Sequence, residues 1–558
     1  VRVRGPEGAR VLVEYCELPS DRELVPDIHP SKLKIRVEDT DYASFYDKSI
    51  NIRQQNGYIL KGKGTETFEC RFAYMGFQFV RVTADPGVTV ERVEAVPVHT
   101  DVAEAGRFVC SNDVVNRLQD MSRASLLNNF HSIPTDCPHR EKQGWTADTY
   151  MTDQAAIYNF DMAAFYAKWV EDLAGTQDSA GGLCTVAPST GYDQSISTVW
   201  PAAIVYVPWD LLAYYGDRRV VERHYETMMR FAESSLLRQR DGKPEIIGEV
   251  LGDWVSPHMT LSDTLMSYSM APPEGLTLYG TASHYRVVRN LAEVARFLGK
   301  RDDAVRLDAW ADRIARRFNE EFFDAASGIY HGENPTPYRQ AANVVPLEYG
   351  LVPEADSARV LGSLLRDLDG TRDRIGTGFV GTLSMMELMP RIDPERAYRL
   401  ATQPDYPGWG FMALSGATTM WETWDGSASR NHPPFCLISA YFYKYLAGIR
   451  CDRAYPGFER FTVDPSVVGD LTFVEAWHDS PYGRIRSEWR RDGSRLTMKV
   501  SVPVGTTATI GVPTRDAAGV AESGRPVSGT DGVKFLRAAG GKAFYEVGSG
   551  SYVFTSRL

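Results

Sequence analysis

The sequence predicts a multidomain α+β protein, with a two-layered helical barrel flanked by antiparallel β-sandwiches. Three observations predict it. Short alternating apolar and polar runs fill residues 1–107, helical segments recur over 108–447, and alternation returns over 448–558. The length of 558 residues also exceeds what one hydrophobic core usually organises.

In the first region, runs such as Val11-Leu12-Val13-Glu14-Tyr15 and Phe77-Gln78-Phe79-Val80-Arg81-Val82 lie between Pro, Gly and Asp turns, as in a sandwich. The character changes after Phe108-Val109-Cys110. There Ser111 or Asn112 can cap a helix through Val114, Leu118, Met121 and Leu126. Further helices are expected over 151–173, 201–215, 220–238, 278–298, 302–323, 355–368 and 435–446, joined by Gly- and Pro-rich loops. About a dozen helices fit this region at ordinary lengths. Many are apolar on more than one face, as an inner ring covered by an outer ring requires, and the loops at one end then carry function. No internal repeat is visible, so the barrel rests on element order and length. In the last region, Leu471-Thr472-Phe473-Val474-Glu475-Ala476-Trp477-His478 and Arg495-Leu496-Thr497-Met498-Lys499-Val500-Ser501-Val502 alternate as strands do. Asp492-Gly493 and Asp531-Gly532 read as hairpin turns.

A formal net charge of −11 without a basic run argues against nucleic acid or an anionic membrane as partner and favours a neutral ligand. No apolar stretch is long enough to span a bilayer. The seven cysteines are sparse and unclustered, with no CxxC motif, so neither a disulfide framework nor a metal or other cofactor is expected. This favours a reducing bacterial setting. A start at Val1-Arg2-Val3-Arg4-Gly5 reads as the interior of a longer protein, which leaves secretion open.

Two islands carry the chemistry. Asp136-Cys137-Pro138-His139-Arg140-Glu141-Lys142-Gln143-Gly144-Trp145-Thr146-Ala147-Asp148 packs three carboxylates, an arginine and a tryptophan around a Pro and a Gly. Gly416-Ala417-Thr418-Thr419-Met420-Trp421-Glu422-Thr423-Trp424-Asp425-Gly426 sets Glu422 between two tryptophans. Glycoside hydrolysis needs one protonated carboxylic acid on the leaving oxygen and a second carboxylate across the sugar, and Glu141 and Glu422 are the best pair. Asp136 and Asp148 are placed to raise the pKa of Glu141, and Arg140 to oppose the shift. The competing reading of the first island is a solvated charged loop with a capping aspartate before a helix beginning near Thr149. That of the second is a buried, backbone-bonded carboxylate with Trp421 and Trp424 as packing. Trp200 and Trp254 are candidates to stack on a pyranose face, or core residues, and His432 to donate to a hydroxyl, or to bond backbone at a helix entry. No G-x-S-x-G, H-E-x-x-H or G-x-x-x-x-G-K-[ST] motif offers another chemistry.

Asp136-Cys137-Pro138-His139-Arg140-Glu141 with Gly144-Trp145-Thr146 and Asp148, then Gly252-Asp253-Trp254 and Thr419-Met420-Trp421-Glu422, resembles the bacterial α-L-rhamnosidases of glycoside hydrolase family 78. The resemblance covers nearly the whole chain, including Tyr74-Met75-Gly76-Phe77-Gln78-Phe79-Val80 and Gly106-Arg107-Phe108-Val109-Cys110-Ser111-Asn112. It implies an (α/α)6 barrel and inverting hydrolysis of terminal α-L-rhamnosides, so that a rhamnose-containing glycoside or oligosaccharide is the expected partner. Carried over by motif, Glu141 is the general acid and Glu422 the general base. Asp136, Arg140 and Asp148 grip the sugar hydroxyls, and Trp145, Trp200, Trp254 and His432 line the pocket. Inversion implies carboxyl groups about 6.5–9.5 Å apart. The sequence departs from the family where His139 replaces a frequent Gln and where further upstream β-domains are usual. The runner-up functions are a hydrolase of another glycoside on the same fold and a catalytically inactive carbohydrate-binding protein; the presence of both glutamates argues against the second.

Overall fold

The structure, a computed structural model, describes residues 1–17, 54–191, 197–258, 267–268 and 271–558. Thirteen α-helices stand among the described residues, in two kinds that burial separates. Thr146–Asn159 (α2) buries every residue except Gln154, and Ala203–Tyr215 (α4) every residue except Tyr215. By contrast, Arg218–Ser234 (α5) and Arg301–Phe322 (α7) are amphipathic; α7 buries Ala304, Leu307, Trp310, Ala311, Ile314, Phe318 and Phe322 at helical spacing.

The more buried kind forms the inner ring. Helices α2, α4, α6 (Thr277–Phe297), α8 (Gln340–Tyr349), α10 (Phe379–Ile392) and α13 (Leu437–Tyr441) each pack on the next, and α13 closes on α2. Around them lie α1 (Asp113–Asn128), α3 (Ala163–Ala174), α5, α7, α9 (Glu354–Thr371) and α11 (Pro394–Thr402), with the short α12 (Trp409–Leu414) between α11 and α1. This is six helical hairpins closed into an (α/α)6 barrel. Since each outer helix returns the chain, all six inner helices start at one end, and their lead-in loops interlock there. Thr146 N–H donates to Thr185 O at 2.9 Å, Phe379 N–H to Trp254 O at 2.9 Å, and Gly376 N–H to the Gln340 side chain at 2.7 Å.

Two three-stranded sheets precede the barrel. Arg2–Arg4 lies between Thr65–Thr67 and Thr89–Arg92, and Arg10–Cys16 between Gln55–Ile59 and Phe79–Ala84. Their small core is Val3, Val11, Val13 and Leu60. After the barrel come a five-stranded and a seven-stranded sheet, antiparallel apart from Arg460–Val463 against Thr507–Pro513. The edge of the seven-stranded sheet is Gly106–Cys110, the strand just before α1, paired with Phe473–Ser480. Trp489 Nε1 donates to Leu446 O at 2.9 Å and fastens this sheet to the end of the barrel.

Asn112 caps α1, its side chain accepting from Val114 and Val115 N–H. Several expectations need correction. The 151–173 helix is two helices, because Phe160 turns extended and pairs with Glu104. Helix α2 begins at Thr146, not near Thr149, after Trp145 and without a side-chain cap; Asp148 lies inside its first turn. The 435–446 helix divides into a 3-10 turn, α13 and a π turn. Asp531-Gly532 is not a hairpin turn: the chain before it is a 3-10 turn at Val527–Gly529, and Val533–Ala539 reverses at Gly540-Gly541 to pair with Lys542–Val547.

Candidate active site

The acid island is a loop that leads into α2. Its ends close on each other, with Asp136 N–H donating to Gln143 O at 2.9 Å and Gln143 N–H to Asp136 Oδ1 at 2.8 Å. Gly144 lies against Ala187, so close that a Cβ would fall 2.0 Å from the Ala187 carbonyl oxygen. Gly144→Ala is therefore expected to cost about 1–3 kcal/mol of stability and to displace Glu141. Thermal unfolding and kcat check it; an unchanged midpoint would mean the loop can yield.

The second island, around Glu422, folds back on itself. Glu422 N–H donates to Ser429 O at 2.8 Å, and Ser429 N–H to Glu422 Oε2 at 3.1 Å. His432 N–H donates to Met420 O at 2.9 Å. Trp421 and Trp424 are buried packing: Trp424 Nε1 donates to Thr377 O at 2.9 Å, and the Arg430 guanidinium lies 5.1 Å from the Trp421 ring centroid.

Arg140 joins the two islands. Its Nη2 donates to Glu422 Oε2 and lies 3.9 Å from Glu141 Oε1. The Trp145 indole N–H donates to Glu141 Oε2 at 2.8 Å. The Glu141 side chain is 19% exposed against 3% for Glu422, so a ligand arriving from solvent meets Glu141 directly.

The two carboxyls are tuned apart. Burial is the main reason that the Glu141 pKa is raised; Arg140 opposes this and Glu422 adds to it. Glu422 thus adds to the rise, and the repulsion between Asp136 and Glu141 that the sequence suggested is felt at Asp136. Burial pushes Glu422 the same way, but Arg140, His432 and the Ser429 amide outweigh it and hold its carboxyl below the ordinary value. Burial alone would lower His432, yet the Glu422 and Asp148 carboxylates bring it up to about 9, so it is a cation near neutral pH. Its Nε2 lies 3.1 Å from Asp148 Oδ1.

Asp136 belongs to this cluster, while Trp200 and Trp254 connect to it only through Phe379 and His432. Buried Asp136 is raised well above the ordinary value by desolvation and by Glu141, and its Oδ2 has no protein partner. Asp136, Cys137 and His432 bring three potential ligand atoms within 4.8 Å of one another, the one such group among the described residues. Trp200 is buried and Trp254 half-buried, edge to face at 6.4 Å between ring centroids. Trp254 connects through its carbonyl to Phe379, whose ring stacks on His432 at 6.1 Å.

Sequence reasoning missed Asp253, Phe379 and Glu17. Asp253 is fully buried and accepts from Gly378 N–H at 2.7 Å and Gly381 N–H at 2.8 Å, pinning the Trp254 loop to the start of α10. Its signal was its place in Gly252-Asp253-Trp254. Phe379 and Glu17 had none.

A helical barrel whose lead-in loops converge two carboxyls with pKa values pushed in opposite directions around one guanidinium has the form of a glycoside-cleaving centre. Comparison with known proteins gives the family. Residues 103–446 match the bacterial alpha-L-rhamnosidase 6 hairpin glycosidase domain, residues 448–525 its C-terminal domain, and residues 1–99 its concanavalin-like domain. The chain belongs to the bacterial α-L-rhamnosidase family. An α-L-rhamnosidase of Streptomyces avermitilis is 31% identical over 519 residues, covering 89% of this chain and 46% of that protein. One of Formosa agariphila is 29% identical over 478 residues, covering 81% and 49%. The chain thus spans about half the length of these curated relatives. Among solved structures, the α-L-rhamnosidase of Dictyoglumus thermophilum superposes with a TM-score of 0.86 at 30% identity, covering 99% of this chain and 60% of that one. The Streptomyces avermitilis α-L-rhamnosidase complexed with L-rhamnose does so with 0.81 at 27% identity, covering 100% and 50%.

Proposed function

We propose that the chain removes terminal α-L-rhamnose from a rhamnose-containing glycoside by inverting hydrolysis. Glu141 protonates the leaving oxygen, and Glu422 takes a proton from the water that attacks the anomeric carbon from the opposite face. Asp136, Arg140 and Asp148 hold hydroxyls, with Trp145, Trp200, Trp254 and His432 around the ring. Domains divide at 107 and 447 in this reading, with the chemistry in the central one. The observation that carries it is the opposite tuning of Glu141 and Glu422 about Arg140 in a chain of this family. A relative solved with L-rhamnose supports the choice of sugar.

The test is a panel of nitrophenyl glycosides followed by NMR of the first anomer released. Cleavage of the α-L-rhamnopyranoside alone, with β-L-rhamnose appearing first, is expected. α-L-Rhamnose as first product would overturn inversion, and cleavage of a different glycoside would overturn the substrate.

A further inference from the structure

Glu17 immediately follows the Arg10–Cys16 strand of the N-terminal sheets, yet its carboxyl is buried among the loops of the barrel, 4% exposed. Its Oε2 accepts from Arg430 N–H at 2.9 Å, and its Oε1 lies 3.2 Å from His139 Nδ1. His139 immediately precedes Arg140 and Glu141 on the acid loop. Arg430 immediately follows Ser429, whose N–H holds Glu422 on the base loop. One carboxyl therefore touches both loops that carry the proposed catalytic pair.

We propose that Glu17 is a positioning residue that holds the acid loop and the base loop in register from the N-terminal sheets. The inference rests on the reading of Glu141 and Glu422 given above.

The surrounding contacts show that the N-terminal sheets are built to approach this spot. Gly76 sits so near the acid loop that a Cβ would lie 2.7 Å from the Pro138 carbonyl carbon. Gln54 brackets that glycine, its amide donating to Gly76 O at 2.8 Å and accepting from Gly76 N–H at 2.9 Å. Lys142 Nζ donates to Tyr74 O at 2.7 Å, and Gln78 Nε2 to Thr418 Oγ1 at 3.0 Å, within the island that carries Glu422.

Protonation fits the bridge. Burial raises Glu17 to about 7 against the Arg430 amide and the Arg140 and Arg430 charges, with Glu422 adding to the rise. Burial and the Arg140 charge lower His139 to about 3, so its ring is neutral. In mildly acidic solution a protonated Glu17 carries a hydroxyl toward neutral His139 while its other oxygen accepts the Arg430 amide. Glutamine copies that arrangement, with an NH2 on one side and a carbonyl on the other. Alanine has neither group, and aspartate is one methylene short.

The test compares Glu17→Ala and Glu17→Gln with the unaltered chain, by kcat and KM on a nitrophenyl α-L-rhamnopyranoside and by amide hydrogen exchange over residues 136–145 and 420–432. Glu17→Ala is expected to lower kcat by about 10- to 100-fold. Its KM should change by less than about threefold, because groups that align reacting atoms act mainly on kcat. Both loops should exchange faster. Glu17→Gln should restore kcat and exchange together. Normal turnover and normal exchange in Glu17→Ala would overturn the proposal, as would a Glu17→Gln enzyme as impaired as Glu17→Ala. If Glu17→Ala does not fold, Glu17→Asp takes its place with the same expectations. If the unaltered chain cleaves no rhamnoside, the functional reading fails, while the exchange comparison still decides whether Glu17 couples the loops.

Discussion

Glu141→Gln and Glu422→Gln are each expected to lower kcat by roughly 10²–10⁴-fold or more, with substrate affinity largely kept, because each replacement preserves shape and removes one proton-transfer step. The two losses should differ in kind. A general acid matters in proportion to how badly the leaving group needs a proton. Glu141→Gln should therefore be most damaged on alkyl rhamnosides and least on nitrophenyl rhamnoside, whose phenolate leaves unaided. Glu422→Gln should be impaired on both alike, since water must be deprotonated whatever departs. The pH profile should follow. Activity needs Glu422 ionised and Glu141 protonated, so kcat/KM is bell-shaped, with its acid limb below the ordinary carboxyl value of 4.5 and its alkaline limb above it. Glu141→Gln should abolish the alkaline limb, because glutamine does not ionise. Near-normal turnover of Glu141→Gln on alkyl rhamnosides, or of Glu422→Gln on either substrate, would remove that residue from its role.

The barrel was legible because its two helix types differ in composition. An inner helix such as α4, with Ala203, Ile204, Val205, Tyr206 and Val207 in succession, is apolar all round, while α7 keeps charges on one face. What was not legible depends on partners distant in sequence. The break at Phe160 follows from its pairing with Glu104, and the start of α2 at Thr146 from the bond to Thr185. Asp531-Gly532 misled because a two-residue turn signal says nothing about whether the run before it pairs with the run after it. The site divides in the same way. Asp136, Arg140, Glu141, Trp145 and Asp148 lie within thirteen consecutive residues, so one local motif carried them all. Glu17 and Arg430 are separated by 413 positions, and no local pattern could join them. Even the Glu422 contribution to the Glu141 shift was out of reach, since Glu422 becomes its neighbour only when the barrel closes.

That dependence on closure makes Arg140 the residue whose loss should be felt most widely. Its guanidinium is the cation shared by both proposed catalytic carboxyls, lowering the pKa of each. In Arg140→Met both pKa values should therefore rise. A higher Glu422 pKa moves the acid limb of kcat/KM upward, and a higher Glu141 pKa moves the alkaline limb upward too, so the whole bell shifts to higher pH rather than narrowing. At the original optimum the rate should fall about 10²-fold, as the base is increasingly protonated and an orienting contact is lost. Part of that loss should return when the assay is moved to higher pH. Stability should change with a defined sign. A carboxyl held below its unfolded pKa stabilises the fold above that pKa and ceases to do so as pH falls through the folded value. The variant should therefore melt lower than the parent near neutrality, and the gap should close in acid. Removing one partner of a buried ion pair typically costs about 3–5 kcal/mol. His432 and the Ser429 amide still face Glu422, so the lower part of that range is expected. Profiles of kcat/KM against pH, with thermal midpoints taken at the same pH values, decide the matter. A bell that loses height without moving would mean that Arg140 orients the site but does not set its protonation.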